Sequence, residues 1–434
     1  MEAPKVARST GRSWMPKAAA EPKQLSSITT EGEQRLSLGF QEMDRVLGGG
    51  LVPGSMVLFA GEPGVGKSTL LLQALAYVSG LRKPVLYVSG EESERQIKLR
   101  SERLGLSGEG IFLLSETDVD RILEQLDQVR PGVAVVDSVQ TLFTGDASSG
   151  PGSVTQVREC CLRLMRWAKA SSTPLLLAGH VTKDGTLAGP RVLEHMVDVV
   201  LYLEGENLGV HRLLRSVKNR FGSTNEVAMF QMGSNGMEEV QDPSKALLEE
   251  RGVATVGSAV APVLEGSRPL LVEVQALTSP TFFPAPRRTA NGVDYNRMIM
   301  ISAVLSRRAR LALANQDVIV NVAGGIRVTE PAADLALALA IASSFRNQPV
   351  KPELVAVGEV GLSGELRSAP HMERRLAEAA RLGFGGCVLP ASVQGKVPRV
   401  DGLEYVFAPT LAVAISRSLM SSAREPSSDE ALEF

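Results

Sequence analysis

Residues 61–69 read Gly61, Glu62, Pro63, Gly64, Val65, Gly66, Lys67, Ser68 and Thr69, which satisfies the spacing G-x-x-x-x-G-K-[ST] of a loop that wraps phosphates. The glycines let backbone N–H groups turn toward a β-phosphate with no Cβ in the way, and a helix starting near Lys67 adds its positive end. Lys67 would reach the β- and γ-phosphates. Ser68 would offer a hydroxyl to Mg²⁺, an ion held mostly by water and phosphate oxygens. A glycine-rich turn before a surface helix accounts for the glycines alone, but not for strand, Lys-Ser pair and helical pattern in one register.

Hydrolysis needs a base and a second metal contact, and three further stretches supply the residue types. In Tyr87 to Glu92, the carboxylate of Glu91, with Glu92 as second choice, stands just past an apolar run and suits activation of an attacking water. Acids at a helix start also occur for dipole reasons alone. In Val133 to Ser138, four apolar residues precede Asp137, which places a carboxylate near the metal together with Ser68. In Pro174 to His180, an apolar run ends at His180, a polar side chain suited to contacting the γ-phosphate and reporting its loss.

These residues must be brought together by the elements between them. Apolar runs at 56–60, 85–88, 111–114 and 133–136 alternate with helical patterns at 93–104 and 119–129. Such alternation predicts an α/β domain with a parallel sheet, helices on both faces, and ligands at the carboxyl ends of the strands. Two Gly-rich loops follow on that edge, 141–155 and 182–191. The second carries Lys183 and Arg191, cations suited to gripping a phosphodiester backbone without reading its sequence, though solvated loops have the same composition. After further β-runs at 199–203 and 210–217 come Lys218 and Arg220. Their spacing of two puts them on one side of the chain, suited to stabilising charge on a phosphate of a neighbouring subunit.

At 434 residues the chain predicts two domains, with 44% hydrophobic residues supporting a globular protein. A net charge of -2 excludes bulk attraction to nucleic acid, so a polyanion must be held by local patches. The three cysteines, Cys160, Cys161 and Cys387, form neither a disulfide framework nor a zinc spacing. A reducing, cytoplasmic setting is expected. No apolar run approaches the ~20 residues of a membrane span.

The runs Gly90 to Ser93, His180 to Pro190 and Lys218 to Gly222 closely resemble the RadA (Sms) family of bacterial DNA-repair proteins, over residues 36 to about 418. The resemblance implies a RecA-like core, ATP and Mg²⁺ as ligands, and hexameric rings on single-stranded DNA and recombination intermediates. It also implies ATP-driven branch migration or strand unwinding in homologous recombination, and a link to the RecA recombinase. Lys218 and Arg220 become the residues that connect ATP state to neighbouring subunits and DNA. Members of that family usually begin with a four-cysteine zinc module. Here no cysteine precedes Cys160, so no zinc is expected in this chain.

The expected domains are a flexible arm at 1–35, the RecA-like ATPase domain at 36–232, a polar linker at 233–250, an α+β domain at 251–420 and a disordered tail at 421–434. The α+β domain resembles the proteolytic domain of Lon. Lon chemistry needs a Ser nucleophile activated by a Lys. Those positions hold Ala332 and Glu373, so a peptidase is disfavoured and a scaffold for subunit contacts is expected. Arg287, Arg288, Arg307, Arg308 and Arg310 are candidate phosphate contacts of that domain. The alternative to a DNA motor is an ATP-regulated switch or scaffold that forms rings without translocating.

Overall fold

The apolar runs of the N-terminal half are strands because each is buried on both faces. In a computed structural model that describes residues 24–27, 34–147, 149–180, 190–205 (side chains from 192), 210–249, 251–283 and 285–420, strand β1 (Met56–Gly61) is buried throughout. Val57 and Phe59 face one hydrophobic cluster, and Met56, Leu58 and Ala60 face the other. This period of two makes β1 the central layer between two helical layers. Each fully buried Val or Leu there contributes about 1.5–3 kcal/mol.

Helix α1 (Gln41–Leu47) precedes β1, and α2 (Lys67–Gly80) follows it. The chain continues through β2 (Val85–Ser89), α3 (Glu94–Arg103), β3 (Ile111–Ser115), α4 (Val119–Val129) and β4 (Val133–Asp137). Then come α5 (Val154–Ser171), β5 (Leu175–His180), α6 (Pro190–Leu193) and β6 (Val199–Glu204). A meander of β7 (His211–Asn219), β8 (Val227–Gly233) and β9 (Gly236–Glu239) completes this unit. Side chains of α1 and α2 fill one cluster, and those of α4 and α5 fill the other.

Among the described residues the sheet order is β3-β2-β4-β5-β1-β6-β7-β8-β9. The strands from β3 to β6 are parallel, whereas β6 with β7 and β8 with β9 pair antiparallel. The expected parallel sheet is therefore the larger part of a mixed one, because the short β6–β7 and β8–β9 connections suit antiparallel pairing and leave no length for a crossover helix.

The stretch expected as a linker is structured instead. Gly236, at φ 108, closes a tight β8–β9 turn. Helix α7 (Pro243–Leu248) follows, with Pro243 in its first turn and the Asp242 carboxylate accepting from the N–H of Lys245. Its polar composition belongs to exposed faces of real elements.

The chain divides into two compact units near residue 240. The second carries β10 (Ser258–Glu265), β11 (Arg268–Pro280), β12 (Arg288–Asn291), α8 (Tyr295–Arg308), β13 (Gln316–Val322) and α9 (Asp334–Arg346). It ends with β14 (Leu354–Ala356), β15 (Glu359–Val360), β16 (Leu366–Arg367), α10 (Met372–Arg381), β17 (Gly386–Pro390), β18 (Glu404–Ala408) and α11 (Leu411–Ser418). Its main sheet has the order β12-β13-β11-β10-β14-β17-β18. Helix α9 is buried from Asp334 to Ser343, and its alanines permit close approach to β10 and β11. Among the described residues no helix is long and apolar enough to cross a membrane. The N-terminal arm through residue 23, the tail from 421, and Lys183 lie outside the described residues, as does the side chain of Arg191.

Candidate functional site

The turn from β1 into α2 is built from glycines that no other residue replaces cheaply. Gly64 and Gly66 have φ 78 and 109, the left-handed region. A Cβ on Gly61 would meet the carbonyl oxygen of Leu203 at 2.5 Å. Gly66 caps α2 with no side-chain hydrogen bond, so the first N–H groups of the helix keep their capacity to bind an anion. Glu62 and Pro63 are exposed at the apex, Val65 is buried beneath it, and Ser68 and Thr69 are half-buried on the first turn.

Lys67 is buried at the floor. Its Nζ donates to the carbonyls of Gly61 and Glu62, both at 3.0 Å, and to Nδ1 of His180 at 3.1 Å. Burial pushes its pKa down to about 8, against the opposing pull of Asp137 and Glu91.

The parallel strands deliver the other predicted residues to the same edge. In the pairing register Gly61 lies opposite His180, and Ser89 lies opposite Asp137. Glu91 follows β2 by two residues, accepts a hydrogen bond from Ser138 Oγ, and lies 3.4 Å from His180 Nε2. His180 thus stands between Lys67 and Glu91. Glu92 turns aside: its backbone N–H donates to Ser89 Oγ at 2.9 Å, and its carboxylate pairs with Arg100. Asp137 is buried and accepts from the Tyr87 hydroxyl at 2.5 Å. One hydroxyl, Ser68, and one carboxylate, Asp137, fit a hard cation that keeps most of its water. Among the described residues no cluster of three or more metal-ligating side chains occurs, as such a cation requires none.

Lys218 and Arg220 are elsewhere. β7 runs opposite to β6, with Asn219 across from Val199 and Leu213 across from Glu204. Both cations therefore lie at the amino edge of the parallel strands, a strand length of roughly 17 Å from their own Lys67. There Lys218 Nζ donates to the carbonyls of Glu194 and Val197 at 2.7 and 2.8 Å, and Arg220 pairs with Asp198 at 3.0 Å. Asp198 also accepts from the N–H of Met56 at 3.1 Å. Desolvation, and then Arg220, lower the Lys218 pKa.

Sequence reasoning passed over three contributors. Arg212, at the start of β7, donates Nε to the Val65 carbonyl at 3.2 Å and braces the glycine loop from beneath. Arg100 and Arg103 of α3 and the β8–β9 turn, through Met232 to Gly236, line a cleft of about 530 Å³ with Gly64, Lys67, Ser68 and His180. Nothing local marks Arg212 or the turn, which arrive from distant sequence.

In the second unit, Ala332 is buried in a short turn before α9, and Glu373 is exposed in the first turn of α10. The buried polar feature nearby is Arg375, whose guanidinium donates to both carboxylate oxygens of Glu330 and to the Pro262 carbonyl. Arg287 is exposed and stacks on Phe283 at 3.8 Å. Arg288 is half-buried. Its Nη2 donates to the Leu313 carbonyl at 2.8 Å and its Nη1 to that of Gln316, so these donors hold β12 in place. Arg307, Arg308 and Arg310 are exposed.

Residues 19–186 match the family described as an AAA domain, and residues 291–393 match the family described as subunit ChlI of Mg-chelatase. DNA repair protein RadA of Bacillus subtilis (strain 168) is 49% identical over 399 residues, covering 92% of this chain and 87% of that protein. RadA of Halalkalibacterium halodurans is 47% identical over 416 residues, covering 95% and 91%. Among solved structures, the KaiC-like protein PH0186 of Pyrococcus horikoshii OT3 and the RadB recombinase align with TM-scores of 0.40 and 0.39. They are 22% and 24% identical, and cover 48% of this chain and 99% and 100% of their own.

Proposed function

Because the chain belongs to the RadA family of bacterial DNA-repair proteins, we propose that it is a DNA-dependent ATPase of recombination whose active site is completed by a neighbouring subunit. The separation of Lys218 and Arg220 from their own Lys67 carries this reading. The glycine loop with Lys67, Glu91 and Asp137 converge at one edge of the sheet, while Lys218 and Arg220 sit a strand length away. In a ring, one subunit's finger edge faces the next subunit's cleft. The reading includes a hexamer on single-stranded DNA that drives branch migration or unwinding beside the RecA recombinase in the cytoplasm, supported by the family resemblance alone.

In this reading the glycine-loop N–H groups bind the β-phosphate and Lys67 moves from its carbonyls to the β- and γ-phosphates. Mg²⁺, held by Ser68 and Asp137, would offset phosphate charge. Glu91 orients and deprotonates the attacking water, with Ser138 fixing its carboxylate. His180, touching both Lys67 and Glu91, is placed to register the γ-phosphate. Lys183 and Arg191, together with Arg287, supply sequence-independent contacts to the DNA backbone.

Adding single-stranded DNA separates this motor from a ring-forming switch. A several-fold rise in ATP turnover supports the motor, and turnover indifferent to DNA supports the switch. Electron microscopy with DNA and a non-hydrolysable ATP analogue would count the subunits.

A further inference from the structure

Arg100 is half-buried at the wall of the phosphate cleft, on the face of α3 that looks toward Lys67 and Ser68. One nitrogen, Nη2, is engaged by the carboxylate of Glu92, whose backbone N–H donates to the Ser89 hydroxyl. The other, Nη1, is buried and has no hydrogen-bond partner among the described residues. Its charge is felt at Tyr87, the residue that holds Asp137. A guanidinium nitrogen left unsatisfied in a low-dielectric wall is unfavourable unless an acceptor arrives, and an anionic oxygen is the acceptor it fits best.

We propose that Arg100 binds the nucleotide's phosphate chain within its own subunit, presenting Nη1 to a phosphate oxygen while Glu92 holds Nη2. The inference rests on the ATPase reading. The Glu92 pair fixes the fork, so little side-chain freedom is lost on binding. Arg100 thus supplies an in-subunit cation, distinct from Lys218 and Arg220, which require a second subunit. It also assigns Glu92 a role: it orients a cation and leaves the base function to Glu91.

The test measures equilibrium binding of a fluorescent ATP analogue and of ADP to full-length wild-type, Arg100→Gln, Arg100→Lys and Glu92→Gln proteins. Arg100→Gln should weaken nucleotide binding roughly tenfold or more, the loss of a charge-assisted hydrogen bond. Glu92→Gln should lose less affinity than Arg100→Gln, since it loosens the fork but keeps the cation. Should Arg100→Gln fail to fold, Arg100→Lys carries the test: an ammonium cannot hold the same fork and should lose affinity several-fold. Wild-type affinity in the Arg100 variants, or an equal loss in Glu92→Gln and Arg100→Gln, would overturn the proposal. Failure of the wild type itself to bind ATP would instead overturn the ATPase reading.

Discussion

The ammonium of Lys67 lies 3.1 Å from Nδ1 of His180, so the residue proposed to grip phosphate and the residue at the end of β5 are already in contact. Their meeting follows from the β1–β5 register, which puts Gly61 beside His180. Three acceptors, two of them carbonyls, hold Lys67 where a phosphate would replace them.

Lys67→Ala should abolish ATP turnover, because its charge stabilises the transferring phosphoryl group. Turnover near the wild-type rate would remove Lys67 from the site.

The lowered pKa of Lys67, about 8 against 10.5 for a free lysine, makes binding pH-dependent. Between those values the unfolded chain keeps a proton that the folded chain has released. This group's contribution to stability therefore rises with pH across that window, and its cost is fully present below pH 8. Phosphate favours the charged form, so ATP binding at pH 8.5 should take up a fraction of a proton and affinity should fall as pH rises further. Calorimetry in two buffers of different ionisation enthalpy measures this uptake. A heat that is the same in both buffers would contradict it.

Glu91→Gln should retain ATP binding and lose roughly 10²–10⁴ in hydrolysis, the contribution of a positioned base. Glu92→Gln should keep turnover within several-fold, because its carboxylate is spent on Arg100. Single-turnover rates decide between them, and a larger loss in Glu92→Gln would reverse the assignment.

Arg375→Ala should destabilise the second unit by about 3 kcal/mol, since it empties the space of a fully buried guanidinium and leaves the half-buried Glu330 carboxylate without its bidentate partner. Thermal unfolding reads the loss. A melting temperature equal to wild type would show that the pair contributes nothing. Casein degradation is not expected from any variant, because Ala332 carries no nucleophile.

Much of this was readable from local chemistry. The glycine loop, the acid after β2, the Asp that ends β4 and the His that ends β5 stand at strand ends, where an apolar run gives way to a polar residue. Such signals depend only on neighbours in sequence. The polar composition of residues 233–250 predicts a linker, yet the β8–β9 turn within it belongs to a cleft wall formed with α3 from more than a hundred residues away. Arg212 and Val65 meet across a similar gap. The carbonyls that Arg288 meets, on Leu313 and on Gln316 at the start of β13, lie more than twenty residues away and leave no mark in the local sequence.

The shared active site is tested most directly by mixing two inactive proteins, Lys67→Ala and Arg220→Ala. Each should bind DNA, and Arg220→Ala should still bind ATP at its own P-loop. A finger of this kind contributes ~10³-fold or more to turnover, so each protein alone should be nearly silent. In mixed rings, interfaces that pair an intact Lys67 with an intact Arg220 should hydrolyse ATP, giving activity that rises above both pure samples and peaks at intermediate ratios. No recovery at any ratio, in rings shown to contain both chains, would contradict a site completed by the neighbouring subunit.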